Sequence, residues 1–248
     1  MKGVILAGGT GSRLHPLTRI TNKHLLPIFD RPMISYGIEA LVGSGIGEIM
    51  LVTGGTHAGE FLRLLGNGNE FGIERLFYAY QEKAGGIAEA LGLAEKFVGD
   101  DRCVVLLADN VFERSILPCV EAFRKQKAGA RVVLSRESDA EHLRHLGVAQ
   151  FDGNRRIERI VEKPDSPPSD FAVTGIYFYD PSVWQVLREL KPSGRGELEI
   201  TDVNNWYLGQ GLMEYDVIDG FWGDAGESIQ AYYAVNDFVR AHATNRDA

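Results

Sequence analysis

Apolar residues in the first half of the chain fall into short, nearly unbroken runs, separated by longer stretches in which they recur every three or four positions. Residues 4–7, 49–53, 76–80 and 104–108 are runs of the first kind, the pattern of strands covered on both faces. Residues 32–42, with Pro32 in the first turn, 57–65 and 87–97 are of the second kind. In the last of these, Ile87, Ala90, Leu91 and Ala94 share one helical face. A further helix over 115–127 precedes a strand over 131–136. The alternation predicts an α/β fold, with a mainly parallel mixed sheet flanked by helices.

The second half changes rhythm. Residues 147–151 and 156–162 flank a turn at Asp152-Gly153-Asn154 and predict a hairpin. Pro164, Pro167 and Pro168 make 163–168 a loop. Residues 171–179 alternate as a long, half-buried strand, 181–190 and 199–208 as helices, 213–218 as a strand, and 229–242 as a closing helix. The simplest account is one α/β domain carrying a more antiparallel insertion. In such sheets ligands gather beyond the carboxyl ends of the strands. That rule selects 8–13, 81–86, Asp109-Asn110 and Glu162-Lys163.

Charge narrows the choice of ligand. With 26 Lys+Arg against 34 Asp+Glu the chain carries −8, which argues against a nucleic-acid polymer or an acidic membrane as partner. Residues 1–31 nevertheless hold Lys2, Arg13, Arg19, Lys23 and Arg31 against Asp30 alone, a local +4 that leaves −12 for the remainder. A basic, glycine-rich start suits a small anion. Its apolar run is too short for a signal peptide, and no run approaches the roughly 20 residues of a membrane span. Cys103 and Cys119 read as core thiols, so a cytoplasmic location is expected. His15, His57, His142, His145 and His242 show no metal-ligand spacing, and surface or capping roles are expected of them.

Leu6-Ala7-Gly8-Gly9-Thr10-Gly11-Ser12-Arg13-Leu14 follows the first strand directly. Glycines let backbone N–H groups approach phosphate oxygens, and Arg13 adds charge-assisted bonds. A dinucleotide fingerprint fails here, since its sixth position from Gly9 is Leu14 and its third from Gly8 is Thr10. A P-loop fails as well, because Leu14 stands where glycine is required before lysine.

This loop is followed by Lys23-His24-Leu25-Leu26-Pro27, Arg31-Pro32-Met33, residues 65–73, Gln81, Gly86, Asp109-Asn110, Glu162-Lys163-Pro164, 173–180, 191–204 and 222–226. In that order, and over essentially the whole chain, the set resembles the sugar-1-phosphate nucleotidyltransferases, and among them the glucose-1-phosphate thymidylyltransferases. The resemblance implies a single Rossmann-like nucleotidyltransferase domain over 1–248, with 1–137 serving the nucleotide and 138–248 forming the sugar-phosphate portion and closing helix. It implies Mg²⁺-dependent transfer of a thymidylyl group from dTTP to glucose 1-phosphate, with UTP, another nucleotide or another sugar 1-phosphate as the nearest alternative.

Residue by residue, the resemblance implies that Asp109 and Asp224 hold the metal and that Arg13 and Lys23 handle the triphosphate. Leu6, Gly8, Gly9, Gly11, Ser12 and His24 fall on its nucleotide-binding loop, Gln81 and Gly86 on its base-reading segment. Lys163 matches the lysine on the sugar phosphate and Glu162 an acceptor of a sugar hydroxyl; Asn110, Gly147, Val173 and Tyr177 match the sugar pocket. Two positions depart from the pattern: His24 stands where glutamine is usual, and Ala108 where glycine is usual. A non-catalytic sensor on the same fold is the alternative of another class; retention of Arg13, Lys23, Asp109, Lys163 and Asp224 speaks for the enzyme. Many relatives carry a longer helical C-terminus, so a monomer or homodimer is expected rather than an allosteric tetramer.

Overall fold

Strand β1 (Lys2–Ala7) is buried at every position after its first, because its Val4-Ile5-Leu6 run is covered on both faces. The computed structural model describes residues 1–242, 244 and 245; the last positions of the expected 138–248 portion, 243 and 246–248, lie outside the described residues. After β1 come a short hairpin of β2 (Pro27–Ile28) and β3 (Arg31–Pro32), then α1 (Ile34–Gly43), β4 (Glu48–Gly54), α2 (Ala58–Leu65) and β5 (Arg75–Gln81). Next are α3 (Ile87–Gly92), α4 (Glu95–Val98), β6 (Cys103–Leu107), β7 (Asn110–Phe112), α5 (Leu117–Lys125), β8 (Ala130–Arg136) and α6 (Ala140–Leu143). The remainder runs through β9 (Gly147–Phe151), β10 (Ile157–Glu162), β11 (Phe171–Tyr179), α7 (Val183–Glu189), α8 (Ile200–Gly209), β12 (Met213–Val217), β13 (Trp222–Asp224) and α9 (Ile229–Ala241).

The main sheet is mixed, in the order β10-β9-β11-β6-β1-β4-β5, with β8 beside β11 and β12 beside β8. Strands β6, β1, β4 and β5 are parallel. Strand β11 runs antiparallel to β6 and begins the antiparallel part that β9 and β10 extend. The chain leaves β1 toward β4 on one side and returns to β6 on the other. That reversal makes a crevice at the carboxyl ends of β1 and β6, the switch point where such sheets take ligands.

One face of the sheet buries Val4, Leu6, Val105 and Tyr177 with residues of α3, α7 and α8. The other buries Ile5, Leu51, Leu106 and Phe178 with residues of α1, α2 and α5. A third cluster sets Tyr232, Val235 and Val239 of α9 against Ile28, Met33, Tyr36, Val111 and Ala225. Helix α9 starts where expected, because the Ser228 hydroxyl accepts from the Ala231 N–H at 3.0 Å. The closing helix thus bears down on the segment that carries Asp224.

Four features differ from the sequence expectation. Strand β5, expected to be covered on both faces, is the edge strand and leaves Phe77 and Tyr80 exposed. Residues 87–97 form two short helices, since α3 ends at Gly92 and α4 restarts at Glu95. Strand β11 is buried along nearly its whole length rather than on one face, because it lies inside a sheet covered on both sides. Two ladders are too short for periodicity to register, β2 with β3 and β7 with β13.

Phe123 tests the core beneath α5. It is fully buried, with its ring 5.4 Å from that of Phe178 and the Arg102 guanidinium 5.2 Å from its centroid. Phe123→Ala is expected to lower unfolding free energy by about 3–5 kcal/mol in urea denaturation, with activity per folded molecule unchanged.

Candidate active site

The ladder between β7 and β13 builds the centre of the site. Asp224 pairs with Asn110 across it, and the Ala225 N–H donates to the Asp109 carbonyl at 2.9 Å. Backbone register therefore brings two acidic side chains, 115 positions apart in the chain, to one place. Asp109 is buried. Its carboxylate accepts from the Lys23 ammonium and from Asn110 Nδ2 at 3.1 Å. Burial, the largest single influence, works against ionisation of Asp109, but the Lys23 charge together with the hydrogen bonds from Lys23 and Asn110 outweighs it and holds the carboxyl well below its usual range. Asp224 moves the other way. Burial first, and then the nearby Asp109 charge, raise it to about 7.

Gly226 is required by this crowding. A β-carbon there would strike both Asp109 Oδ2 and Lys23 Nζ. Its N–H instead donates to Asp224 Oδ1 at 2.8 Å. Asn110 is equally committed. Its Oδ1 accepts from the Gly175 N–H at 3.0 Å and from Trp222 Nε1 at 2.6 Å, at the point where β11 slips register between Val173 and Tyr177. The side chain expected in the sugar pocket thus also orients Asp109.

His24 is buried beside the pair. Its Nδ1 lies 2.8 Å from Asn22 Oδ1 and its Nε2 3.9 Å from Asp109 Oδ2. Burial, and then the Lys23 charge, lower it to about 3, so it is neutral at pH 7. Arg13 is exposed on the glycine loop, close enough for its charge to be felt at Lys23. Lys163 follows β10 with φ 45°, a conformation uncommon without glycine. Its N–H donates to the Leu146 carbonyl at 2.9 Å and its ammonium lies 3.4 Å from Glu162 Oε1. The other Glu162 oxygen accepts from the Thr201 hydroxyl at 2.6 Å.

Gln81, at the end of β5, spends its amide N–H₂ on the Gly86 carbonyl at 3.3 Å and on Glu89 at 3.1 Å. Its carbonyl oxygen is left beside Gly8. Gly86 itself has φ 101° and abuts the Leu198 backbone, where no side chain fits.

These groups line one cavity of about 360 Å³. Leu6, Gly8, Gly9, Arg13, Lys23, His24, Gln81, Gly86, Asp109, Asn110, Gly147, Glu162, Lys163, Val173, Tyr177 and Asp224 all face it. Gly11 and Ser12 do not. Gly11 turns beneath the loop, where its carbonyl accepts from Thr18 at 2.8 Å, and Ser12 is exposed outside the cavity. The sequence reading missed His145, Trp222, Arg195 and Asn204, which also line it. Arg195 lies 2.8 Å from Glu199 and 3.6 Å from Glu162; the signal lay in the 191–204 motif, which carries the resemblance without pointing to a particular side chain.

Among the described residues no group of three or more His, Cys, Asp or Glu side chains is arranged to hold a metal ion. Two crowded carboxylates remain, and they fit a hard cation whose other ligands are phosphate oxygens and water.

A basic glycine loop, a carboxylate pair and a second cationic wall at the switch point of a mixed sheet define an α/β protein that handles phosphorylated ligands. The chain belongs to the nucleotidyl transferase family, whose model matches residues 2–242. A glucose-1-phosphate thymidylyltransferase of Neisseria meningitidis is 42% identical over 229 residues, 91% of this chain and 78% of that one. A crystal structure of a Bacillus anthracis protein, provisionally named a glucose-1-phosphate thymidylyltransferase and bound to sucrose, is 51% identical with TM-score 0.91, covering 97% and 95% of the two chains. A UDP-glucose pyrophosphorylase complexed with UDP-glucose is 25% identical with TM-score 0.81, covering 97% and 98%.

The glycine at 226 offers a direct check. Gly226→Ala is expected to displace Asp109 or Lys23 and lower turnover about 100-fold, while circular dichroism and melting temperature stay near the parent values.

Proposed function

We propose that the protein transfers a thymidylyl group from dTTP to glucose 1-phosphate, giving dTDP-glucose and pyrophosphate. The observation that carries this is that the Asp109–Asp224 pair lines one cavity with Arg13, Lys23 and Lys163. Relatives named for this reaction supply the choice of substrates.

An oxygen of the sugar phosphate attacks the α-phosphorus of dTTP, and the bond from that phosphorus to the bridging oxygen of pyrophosphate breaks. The nucleophile is already ionised at neutral pH, so the site needs no general base. What it needs is alignment and cancellation of charge between two polyanions. Arg13 meets the departing pyrophosphate from the loop, while Lys23 keeps the carboxylate pair from repelling the incoming phosphates. Lys163 neutralises the sugar phosphate, and Glu162 accepts a sugar hydroxyl in the pocket bounded by Asn110, Gly147, Val173 and Tyr177. Leu6, Gly8 and Gly9 border the nucleotide, and Gln81 presents its free carbonyl oxygen to the N3–H of a pyrimidine. Asp109 and Asp224 would hold Mg²⁺, which supplies a Lewis acid on the phosphate oxygens when bound.

In this reading 1–137 forms the nucleotide side and 138–248 the sugar-phosphate side, in a cytoplasmic monomer or homodimer. Its two cysteines are free buried thiols, and among the described residues no helix is long and apolar enough to cross a membrane.

Pyrophosphate release from dTTP and glucose 1-phosphate should depend on Mg²⁺ and stop with a chelator. Absence of metal-dependent release would end the proposal; faster release with UTP would move it to the uridylyl reaction, the reading favoured by likeness to the UDP-glucose enzyme. Lys163→Ala is expected to raise KM for glucose 1-phosphate about 10- to 100-fold, the worth of one charge-assisted bond. Its KM for dTTP should change far less in the same steady-state assay.

A further inference from the structure

His142 is not the surface or capping residue that its spacing suggests. Its side chain is three-quarters buried, with Nδ1 2.6 Å from Glu137 Oε2 and Nε2 2.6 Å from Glu227 Oε2. Nδ1 is hydrogen-bonded to Glu137, while Nε2 meets Glu227 as an ion pair rather than a formed hydrogen bond; two carboxylates this close to one ring favour the imidazolium. The ring lies nearly parallel to the Trp222 indole, at 10° and 6.5 Å between centroids. Glu137 follows β8, His142 sits on α6, and Glu227 precedes α9, so one cation joins three separate segments.

What those segments carry gives the clamp its purpose. Just after His142, the chain enters the cavity wall at His145, Leu146 and Gly147. Leu143 and Leu146 pack with Val148 and Ala172 against Trp222, and Trp222 holds Asn110 through its indole N–H. His142 itself does not line the cavity.

We propose that His142 is a positioning residue: gripped by Glu137 and Glu227, its imidazolium holds Trp222 and the Leu146-Gly147 segment in place as the sugar-phosphate wall of the cavity. The assignment of that wall to the sugar phosphate rests on the function proposed above.

The groups facing His142 make its charge persist. Glu227 and Glu137 are the carboxylates directed at it. The Trp222 face and the β9 and β11 residues beside it, Val148 and Ala172, are apolar, and on its own helix Glu141 pairs with Arg144 at 2.8 Å. The bond to Glu227, and then that to Glu137, outweigh burial and raise His142 from 6.5 to about 9. A histidine raised in the folded state contributes fully below its unfolded value and loses that contribution as pH rises through the folded value. The charged clamp is therefore present at neutral pH and opens around pH 9.

The test needs two readouts. In a Trp184→Phe, Trp206→Phe background, emission comes from Trp222, the remaining tryptophan. A protonated imidazole on an indole quenches it, so emission should rise through about pH 9. Adding His142→Gln should abolish that rise, and Glu227→Gln, which preserves side-chain shape, should move its midpoint down by about one pH unit or more. In the pyrophosphate-release assay, His142→Ala should raise KM for glucose 1-phosphate about tenfold, with kcat and KM for dTTP within about twofold. His142→Gln should recover part of the loss and remove the alkaline rise in that KM.

An emission curve unaffected by His142→Gln would overturn the clamp. Equal rises in both KM values would overturn its placement at the sugar-phosphate wall. Absence of turnover in the parent enzyme would overturn the functional reading, while the emission titration, which needs no substrate, decides the clamp separately.

Discussion

Two carboxylates share a buried site only where positive charge or a proton lies with them. The pairing of Asp109 with Asp224 is the constraint on which the rest of this structure depends. Lys23 meets part of the demand by its ion pair with Asp109. The rest appears in Asp224, whose affinity for a proton is raised by burial and by its neighbour. A site in that state has a standing preference for a further cation. The backbone bonds that impose it are few: the three-residue ladder of β7 with β13 and the bond from the Ala225 N–H to the Asp109 carbonyl.

So short a ladder is marginal alone, and the packing around it supplies the rigidity. Val111 of β7 and Ala225 beyond β13 are buried beneath Tyr232, Val235 and Val239 of α9. From the other side, the register slip in β11 frees the Gly175 N–H for Asn110, which passes the constraint to Asp109. Trp222 closes the same network, with the His142 clamp behind it. Parts of the chain remote from the chemistry therefore act on it by holding two carboxylates at a separation they would not choose.

Much of this was legible in the sequence, and for identifiable reasons. The apolar runs at 4–7, 49–53, 76–80 and 104–108 each became a parallel strand, since an unbroken apolar run has few other places to go, but 76–80 became the half-exposed edge strand rather than a buried one. Each segment placed at a strand end by the switch-point rule reaches the cavity, although Thr10, Gly11, Ser12, Glu82, Lys83 and Gly85 within those segments do not line it. What escaped was everything that long-range pairing decides. The β7–β13 ladder has no periodicity to read in three residues. Trp222 opened the 222–226 motif without a role of its own, because its bond to Asn110 spans 112 positions. His142 shows the limit most clearly. Its partners Glu137 and Glu227 lie five positions before it and 85 after it, so no local pattern marks the clamp. Gly226 belonged to a motif that carried the resemblance, but the reason for its being glycine appears only when Lys23 and Asp109 are seen beside it.

His24 shows how the fold absorbs a departure from the family's usual glutamine at this position. A protonated histidine here would add a positive charge beside Lys23 and change the balance at the carboxylate pair. Burial prevents it, holding the ring neutral with a pKa of about 3. The neutral ring then behaves much as an amide does. One nitrogen donates to Asn22 Oδ1, and that same oxygen accepts from the His24 N–H at 3.0 Å, which fixes the side chain's direction. The other nitrogen faces the Asp109 side as an acceptor. The charges at the reacting end are those that glutamine would leave: two acids, Lys23 and the approaching Arg13. What differs is size and reach, so under the proposed function the substitution would bear on which nucleotide fits beside it and would leave the charge balance at the carboxylate pair intact.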